Sequence, residues 1–366
     1  NTSGSSNTFI GALCGDLATE GAGNVGVGSS SLTALTTAAN NTAVGTSSMA
    51  ANTTGTDNVA MGSGALEANT TASNNTAIGR EALQANTTGQ GEAFGKGALA
   101  AQTTGSENQA FGLSALAALT TGTSNVAIGK GAFQALTTGS DSVAIGRGAG
   151  DAVTTSASNT FVGSQAGGAT TTGASNTTVG ATSGAAITTG YENTCIGAST
   201  AQGLTTGTNN VCIGLGAGNS GNPGGLLQTT DNRIVIGNAS SANAHIQIDW
   251  TVASDKRDKT DVTPLDMGLS FINKLEPVTY KWDKRVKYEE GETPDGTHKE
   301  SWTDVGFLAQ DVEKIEAEFG HKIEDETNLT TYMSEDKDAY GLTYAKFVPM
   351  LVKSVQELST QVDELK

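Results

Sequence analysis

Residues 58–74 read NVAMGSGALEANTTASN, and this stretch of 17 residues decides the fold because the chain repeats it with small changes. A glycine marks the repeat and returns every 17 residues, with one step of 16 between Gly79 and Gly95. Thirteen copies share this spacing, and their marker glycines are Gly11, Gly28, Gly45, Gly62, Gly79, Gly95, Gly112, Gly129, Gly146, Gly163, Gly180, Gly197 and Gly214. A fixed period of this length predicts a solenoid in which each repeat forms one coil, called a rung below.

Each rung carries the same pattern around its marker glycine. Asn lies four residues before the glycine in eleven of the thirteen rungs, with Gly91 and Ser142 as the exceptions, and Thr-Thr-Gly or a similar turn follows later. The pattern is too short and too glycine-bounded for a helix, so it predicts a β-solenoid rung of two short strands and two turns. Rungs would stack at roughly 4.8 Å, and the asparagines would form a ladder of bonded amides. The residue directly before each marker glycine is apolar, and this column is predicted to form the core: Ile10, Val27, Val44, Met61, Ile78, Phe94, Phe111, Ile128, Ile145, Val162, Val179, Ile196 and Ile213.

A second apolar position lies four residues after the marker glycine. It is large in seven successive rungs: Leu32, Met49, Leu66, Leu83, Leu99, Leu116 and Phe133. A single thin coil buries little apolar area, so we interpret this column as a contact with other copies of the chain, with three as the favoured number. The same position is small from residue 150 onward (Gly150, Gly167, Gly184, Ala201, Gly218), which predicts that the bundle narrows toward its C-terminal end.

Composition excludes several classes of function. The formal net charge of −17 argues against nucleic acid or anionic membrane as a partner of the whole chain. No run of about 18 apolar residues occurs, so no membrane insertion is expected. Three cysteines are too few for a disulfide framework or a metal site, and no metal or cofactor is expected. Cys195 and Cys212 occupy one repeat position in adjacent rungs; we favour stacked buried thiols over a disulfide, which the spacing also permits.

Charge divides the chain near residue 254. Residues 254–366 hold 15 of the 20 Lys and Arg and 25 of the 37 Asp and Glu. We therefore predict a β-solenoid shaft over 1–217, a connecting region over 218–253 and a third domain over 254–366. The connecting region contains a loop insertion, a last rung at Arg233–Gly237 and a strand at His245–Trp250, in which His245 is read as a solvated side chain rather than a proton carrier. The chain begins Asn-Thr-Ser, which suggests a fragment of a longer protein.

The third domain is predicted to be a small α/β unit. Its expected elements are a helix over Leu265–Leu275, a strand over Val278–Trp282, a helix over Ala309–Phe319 ended by Gly320, and short strands near Leu329–Met333 and Ala339–Leu342.

The chain ends in a predicted helix over about 345–366. Its apolar residues alternate in steps of three and four, which is the a/d seam of a coiled coil with Val at a and Leu at d. An amphipathic helix that packs on its own domain fits the spacing equally well. The trimeric shaft favours a three-stranded coil, with a trimer seam formed by Val348, Leu351, Val355, Leu358, Val362 and Leu365.

Four segments of the third domain carry a family resemblance: SDKRDK at 254–259, LEPVTY at 275–280, VGFLAQDV at 305–312 and YAK at 344–346. Together they resemble the C-terminal intramolecular chaperone auto-processing domain of phage tail spikes and fibres, including endosialidase-type spikes. The rungs resemble the head repeats of trimeric bacterial adhesins, which also occur in phage tail fibres.

The resemblance implies that the chain cuts itself. It assigns Ser254 and Lys259 as a catalytic dyad and the bond between Ala253 and Ser254 as the cleavage site. It also assigns Asp255, Arg257, Gly306, Gln310 and Asp311 to the chaperone motif. A free lysine, with a pKa of about 10.4, is protonated and cannot activate a serine, but burial in a low-dielectric interface would lower its pKa. Cleavage would then depend on assembly.

The sequence therefore predicts the receptor-binding end of a homotrimeric tail fibre, made in the host cytoplasm and carried in the virion. Expected partners are a host-surface receptor, either a glycan or an outer-membrane component, and other tail proteins through residues that precede Asn1. Activity beyond self-cleavage is not expected. Two alternatives stay open: a tail spike with glycan-depolymerase activity in or beyond this fragment, and a trimeric bacterial surface adhesin.

Overall fold

The structure, a computed structural model, describes residues 4–222, 225–241, 252–289, 292–334, 337 and 339–366. The chain forms two compact units. The first runs to residue 219 and takes in 227–238, and the second consists of 220–226 and the chain from 239 onward. The predicted strand at His245–Trp250 lies outside the described residues, so His245 stays a prediction.

The first unit is a β-solenoid, as predicted. Within the described residues it forms one parallel sheet of 14 strands in sequence order, one strand for each rung. The strands are β1 Thr8–Ile10, β2 Val25–Val27, β3 Thr42–Val44, β4 Val59–Met61, β5 Thr76–Ile78, β6 Gly91–Phe94, β7 Asn108–Phe111, β8 Val126–Ile128, β9 Val143–Ile145, β10 Thr160–Val162, β11 Thr177–Val179, β12 Thr194–Ile196, β13 Val211–Ile213 and β14 Ile234–Ile236.

Each strand pairs with the equivalent residues of the next rung, so that Val59 lies opposite Thr76. The predicted last rung is present, because β14 pairs with β13 across the longer connection. The predicted second strand of each rung is absent from the described residues. Its place is taken by a turn in which Leu66 has a φ of +50°, outside the range that a strand allows. The turns still bond from rung to rung, as from Leu66 N to Ala82 O at 3.0 Å.

The prediction for the two apolar columns was wrong, and their roles are exchanged. The column from Leu32 to Phe133 is fully buried within one chain. The residues directly before the marker glycines point outward instead. Seven of them, together with Ile236 of the last rung, are between 37% and 62% exposed: Ile10, Met61, Phe111, Ile128, Ile145, Ile196, Ile213 and Ile236. We call this outward column the apolar stripe. Side chains alternate along a strand, so a residue three positions after the buried Asn must face the other way.

Large and small residues alternate across the core of each rung. A Cβ on Gly150 would lie 2.6 Å from the rings of both Phe133 and Phe161, so these rings fill the space that the glycine leaves. The small residues from Gly150 onward therefore do not show that the bundle narrows, because their column packs inside the chain. Cys195 and Cys212 face each other in β12 and β13 as buried free thiols, in agreement with the favoured interpretation.

The asparagine ladder is present as predicted. Asn41 Nδ2 donates to Asn24 Oδ1 at 3.1 Å and to Gly55 O at 2.9 Å, and Asn41 N donates to the same Asn24 oxygen at 3.0 Å. Where Gly91 interrupts the column, Gln102 supplies the missing amide, because Asn108 Nδ2 donates to Gln102 Oε1 at 2.9 Å. The buried amides of the core are thus satisfied from rung to rung.

Besides three short 3₁₀ helices, the described residues of the second unit form three α-helices and two strand pairs. In chain order these are α1 Leu269–Ile272, β15 Val278–Tyr280, β16 Asp304–Gly306, α2 Ala309–Glu318, β17 Thr331–Met333, β18 Tyr340–Leu342 and α3 Phe347–Glu364. β15 pairs with β16 and β17 with β18, both antiparallel. The core consists of Met267, Phe271, Val312, Phe347 and Met350.

These elements follow the predicted order, with one clear difference. The first helix was predicted over Leu265–Leu275, but α1 has only four residues. It begins at Leu269 because the Glu357 carboxylate accepts a hydrogen bond from Leu269 N at 2.7 Å. Gly268 precedes it, and a Cβ there would lie only 2.4 Å from Glu357 Oε2.

Candidate functional site

Ser254 and Lys259 meet across a short 3₁₀ turn formed by Lys256–Asp258. Lys259 Nζ donates to Ser254 Oγ at 2.6 Å, so the two side chains that the resemblance paired are in direct contact. A neutral amine at this distance from a serine hydroxyl has the geometry that a general base requires.

Asp255 holds the turn in shape. Its Oδ1 atom accepts from Arg257 N at 2.9 Å, which caps the first turn of the 3₁₀ helix. The Arg257 side chain returns to the same carboxylate, with Nη2 at 2.6 Å from Oδ2 and Nε at 3.1 Å from both oxygens. These bonds from Arg257 hold the pKa of the Asp255 carboxyl below its ordinary value and raise the pKa of Arg257.

The whole site is exposed in one copy of the chain. Every residue from Val252 to Pro264 is exposed, and the 3₁₀ turn contains no buried residue. Ala253, on the other side of the proposed cleavage site, is exposed as well. The single chain therefore forms the dyad without giving it an enclosed environment.

The remaining motif residues lie elsewhere in the second unit, and no described contact joins them to the dyad. Gly306, the last residue of β16, lies next to the Tyr344 hydroxyl. A Cβ added to Gly306 would lie 2.4 Å from the hydroxyl oxygen. Phe307 N donates a hydrogen bond to the same oxygen at 3.2 Å. Gln310 and Asp311 are exposed in the first turn of α2, and Asp311 pairs with Lys314 at 2.8 Å. Gly306 therefore has a packing role, since a larger residue would displace Tyr344.

The predicted seam of α3 is turned away from its own domain. The six seam residues from Val348 to Leu365 are between 46% and 88% exposed. A different face of the helix packs on the domain, through buried Phe347, Met350 and Ser354. The helix therefore packs on its own domain, as the alternative had it, but through a face other than the six seam residues. The coiled coil stays a prediction.

Sequence reasoning missed one buried carboxylate. Glu316 in α2 is fully buried and accepts from Thr330 N and Oγ1, both at 2.6 Å, and from Thr331 Oγ1 at 2.5 Å. It fastens α2 to the start of β17. The sequence pattern that could have predicted its burial is the position of Glu316 four residues after Val312, on the otherwise apolar face of the helix.

The described residues contain no group of three or more His, Cys, Asp or Glu side chains placed to hold a metal ion. Within the same residues, no helix has the length and apolar character needed to cross a bilayer.

Residues 254–321 match the family model described as chaperone of endosialidase, and the match begins at Ser254. No curated protein and no solved structure matches the chain. The chain thus carries an endosialidase-type chaperone domain behind a β-solenoid of 17-residue repeats. This architecture fits a phage tail fibre or tail spike.

Proposed function

We propose that this chain is the receptor-binding end of a homotrimeric phage tail fibre, folded by its C-terminal domain, which then releases itself by cutting between Ala253 and Ser254. The contact of 2.6 Å between Lys259 Nζ and Ser254 Oγ carries the proposal, because it lies inside the segment that matches the endosialidase chaperone model. In this proposal the trimer is a virion component, made in the host cytoplasm, that binds other tail proteins and a host-surface glycan or outer-membrane component.

The reaction needs Lys259 as a neutral amine. Lys259 Nζ would take the proton from Ser254 Oγ while that oxygen attacks the carbonyl carbon of Ala253. The bond from this carbon to Ser254 N then breaks, and the nitrogen leaves as an amine with the proton that Lys259 returns. Water hydrolyses the resulting ester, which leaves a carboxylate on Ala253 and restores the serine hydroxyl.

The exposure of the dyad explains why cleavage would wait for assembly. Burial disfavours the charged form of a lysine, and one copy of the chain does not bury Lys259. In our proposal, neighbouring copies cover the turn only once the trimer has formed. Cleavage would then occur only in correctly assembled fibres. After the chaperone domain has been removed, a fibre that unfolds would no longer refold readily.

Two outward apolar surfaces support association of copies. The apolar stripe runs along the solenoid, and the α3 seam presents Val and Leu at coiled-coil spacing. Large apolar patches on a protein surface commonly mark sites of protein association. Sedimentation equilibrium of the full chain would give the number of copies, and we expect three.

The dyad is tested by expressing the wild type and variants and measuring intact masses. The wild type should give two fragments, the smaller beginning at Ser254, whereas Ser254→Ala and Lys259→Ala should each give one full-length chain. Lys256→Ala is the matched control, since Lys256 is an exposed lysine of the same turn, and it should cleave like the wild type. Cleavage at another bond, or cleavage that survives Ser254→Ala, would contradict the proposal.

A further inference from the structure

The outward face of the solenoid sheet is bordered by two columns of residues. Each strand is entered through a corner residue five positions before its marker glycine. Apart from Gln90, these corner residues have a positive φ, as at Asp57 with +58° and Glu107 with +60°. Each strand is left through the marker glycine itself, such as Gly62 with a φ of +141°. The corner residue and the residue after the glycine therefore lie at opposite edges of the face that carries the apolar stripe.

Charges of opposite sign occupy these two edges. The residue after the marker glycine supplies four of the five Lys and Arg in residues 1–253, and it is never acidic. The corner position supplies four acidic residues and is never basic. All eight side chains are exposed. We call Asp57, Glu107, Asp141 and Glu192 the acidic edge, and Arg80, Lys96, Lys130 and Arg147 the basic edge.

One chain does not neutralise these charges across its own face. The two edges lie at opposite ends of a strand of three or four residues. In the described solenoid, Lys96, Lys130 and Arg147 form no ion pair, and Arg80 pairs only with the adjacent Glu81, at 3.3 Å. On the other edge, Glu107 Oε2 accepts only from the neutral Ser124 hydroxyl, at 3.2 Å.

We propose that the acidic edge of one copy lies against the basic edge of the next copy, around a closed ring of parallel chains. This inference rests on the proposed homotrimer and specifies how its solenoids meet. Suppose that the apolar stripes of parallel chains face a common axis. The acidic edge, where each strand begins, must then lie next to the basic edge of the neighbouring copy, where its strand ends. Opposite charges then meet at every junction, outside an apolar centre.

The positions of the charges along the rod agree with chains at equal height. Arg80 is one rung from the neighbour's Asp57, Lys96 is one rung from Glu107, and Arg147 shares a rung with Asp141. Lys130 lies between the rungs of Glu107 and Asp141. A rung is roughly 4.8 Å, which long Lys and Arg side chains can span.

The test reverses charges on one edge and then on both edges in the full chain. Lys96→Glu with Lys130→Glu places two acidic side chains against the neighbour's Glu107 and Asp141, so copies should repel along the middle of each junction. Adding Glu107→Lys and Asp141→Asn gives the fourfold variant, in which a lysine at 107 lies between the two new carboxylates, the carboxylate at 141 is gone and Arg147 meets no like charge. We expect the double variant to speed thermal dissociation of the trimer by about tenfold or more at low salt, and the fourfold variant to return close to the wild-type rate.

A matched control separates edge pairing from net charge. The control replaces four exposed threonines outside both edges with Glu: Thr54, Thr88, Thr121 and Thr155. It changes the net charge by the same amount as the double variant. This control should dissociate like the wild type. In the wild type, a zero-length amine-to-carboxylate cross-linker should join Lys96 or Lys130 to Glu107 or Asp141 of another copy.

The failures of the two proposals are distinguishable. A trimeric wild type whose double variant behaves like the threonine control, or whose fourfold variant is no better than the double, would overturn the edge pairing alone. A wild type that sediments as a monomer would overturn the homotrimer and the edge pairing with it.

Discussion

Ser254 and Lys259 lie five positions apart, and a 3₁₀ turn brings their side chains to 2.6 Å. The pair could be predicted from the sequence, but only through the surrounding motifs, because a serine and a lysine at this spacing are common. The sequence alone also allows a simpler arrangement in which Ser254 and Asp255 cap a helix and Lys259 is a surface charge. The structure contains the Asp255 cap together with the contact between Lys259 and Ser254, while the catalytic role of the pair stays a prediction. The return of the Arg257 side chain to Asp255 had no sequence signal.

The Asp255–Arg257 pair should set the rate of cleavage through the shape of the turn. The pKa of Asp255 is lowered, so the pair is fully charged above the carboxyl's unfolded pKa of about 3.9 and is lost as pH falls through the lower folded value. It is therefore intact at the neutral and alkaline pH where a lysine acts as base. Asp255→Asn should slow cleavage about tenfold by loosening the turn.

Arg257→Gln removes the other partner of the pair, so it should loosen the same turn and slow cleavage to a similar extent. Asp258→Asn, in the same turn, is the control and should match the wild type. Single-turnover rates measured by mass spectrometry across pH would show this, and identical profiles for all variants would exclude a positioning role.

At the scale of elements, the columns of the rung show what sequence could and could not supply. The period, the turns and the asparagine ladder were visible because they recur every 17 residues. Whether an apolar column faces the core or the solvent was not visible, because both apolar columns recur with the same period. Only the alternation of a real strand, with Asn58 and Ala60 inside, places Met61 outside. The other side of the rung is a turn, where alternation gives no guide.

The terminal helix shows two faces with separate tasks. Phe347, Met350 and Ser354 hold it on its domain, while Leu358 is half exposed on the seam. Leu358→Asp should therefore leave the domain folded, with unchanged circular dichroism, but place an unpaired charge in the coiled-coil core. We expect the trimer population to fall more than about tenfold and cleavage to be lost with it.

Thr360→Asp is the matched control, because Thr360 lies on the same helix outside the seam and is exposed. It should remain trimeric and cleave normally. Sedimentation and intact mass measured on the same samples give both readouts. A Leu358→Asp monomer that still cuts efficiently would contradict assembly-dependent cleavage while leaving the dyad in place.

At the scale of the whole molecule, the repeat creates a problem that the repeat itself cannot solve. A slip of one chain by 17 residues against its neighbours keeps the same apolar residues in contact along most of the rod. A non-repeating domain at one end can fix the starting alignment, which is the task that we propose for the unit from Ser254 onward. The sequence showed this division through charge and period alone. The surface through which copies meet could not be predicted from the sequence, because the residues of the apolar stripe were assigned to the core.

Deleting one whole rung tests whether the period is structural. Removal of residues 58–74 brings Asn75 onto Asn41 and Asn86 onto Asn52, so every column stays in phase and both amide stacks continue. It also spares all eight edge charges. The shortened chain should remain soluble, trimeric and self-cleaving.

Deleting only residues 58–65 places Leu66 where the ladder needs Asn58 and puts all later rungs out of phase. Buried amides would then lose their partners at roughly 1–3 kcal/mol each, and apolar side chains would meet the marker glycines. We expect this chain to aggregate or to stay uncleaved, as shown by sedimentation and intact mass. The shorter deletion removes fewer residues yet should do far more damage, which only a stacked core of fixed period explains. Equal behaviour of the two deletions would mean that the rungs do not stack in register.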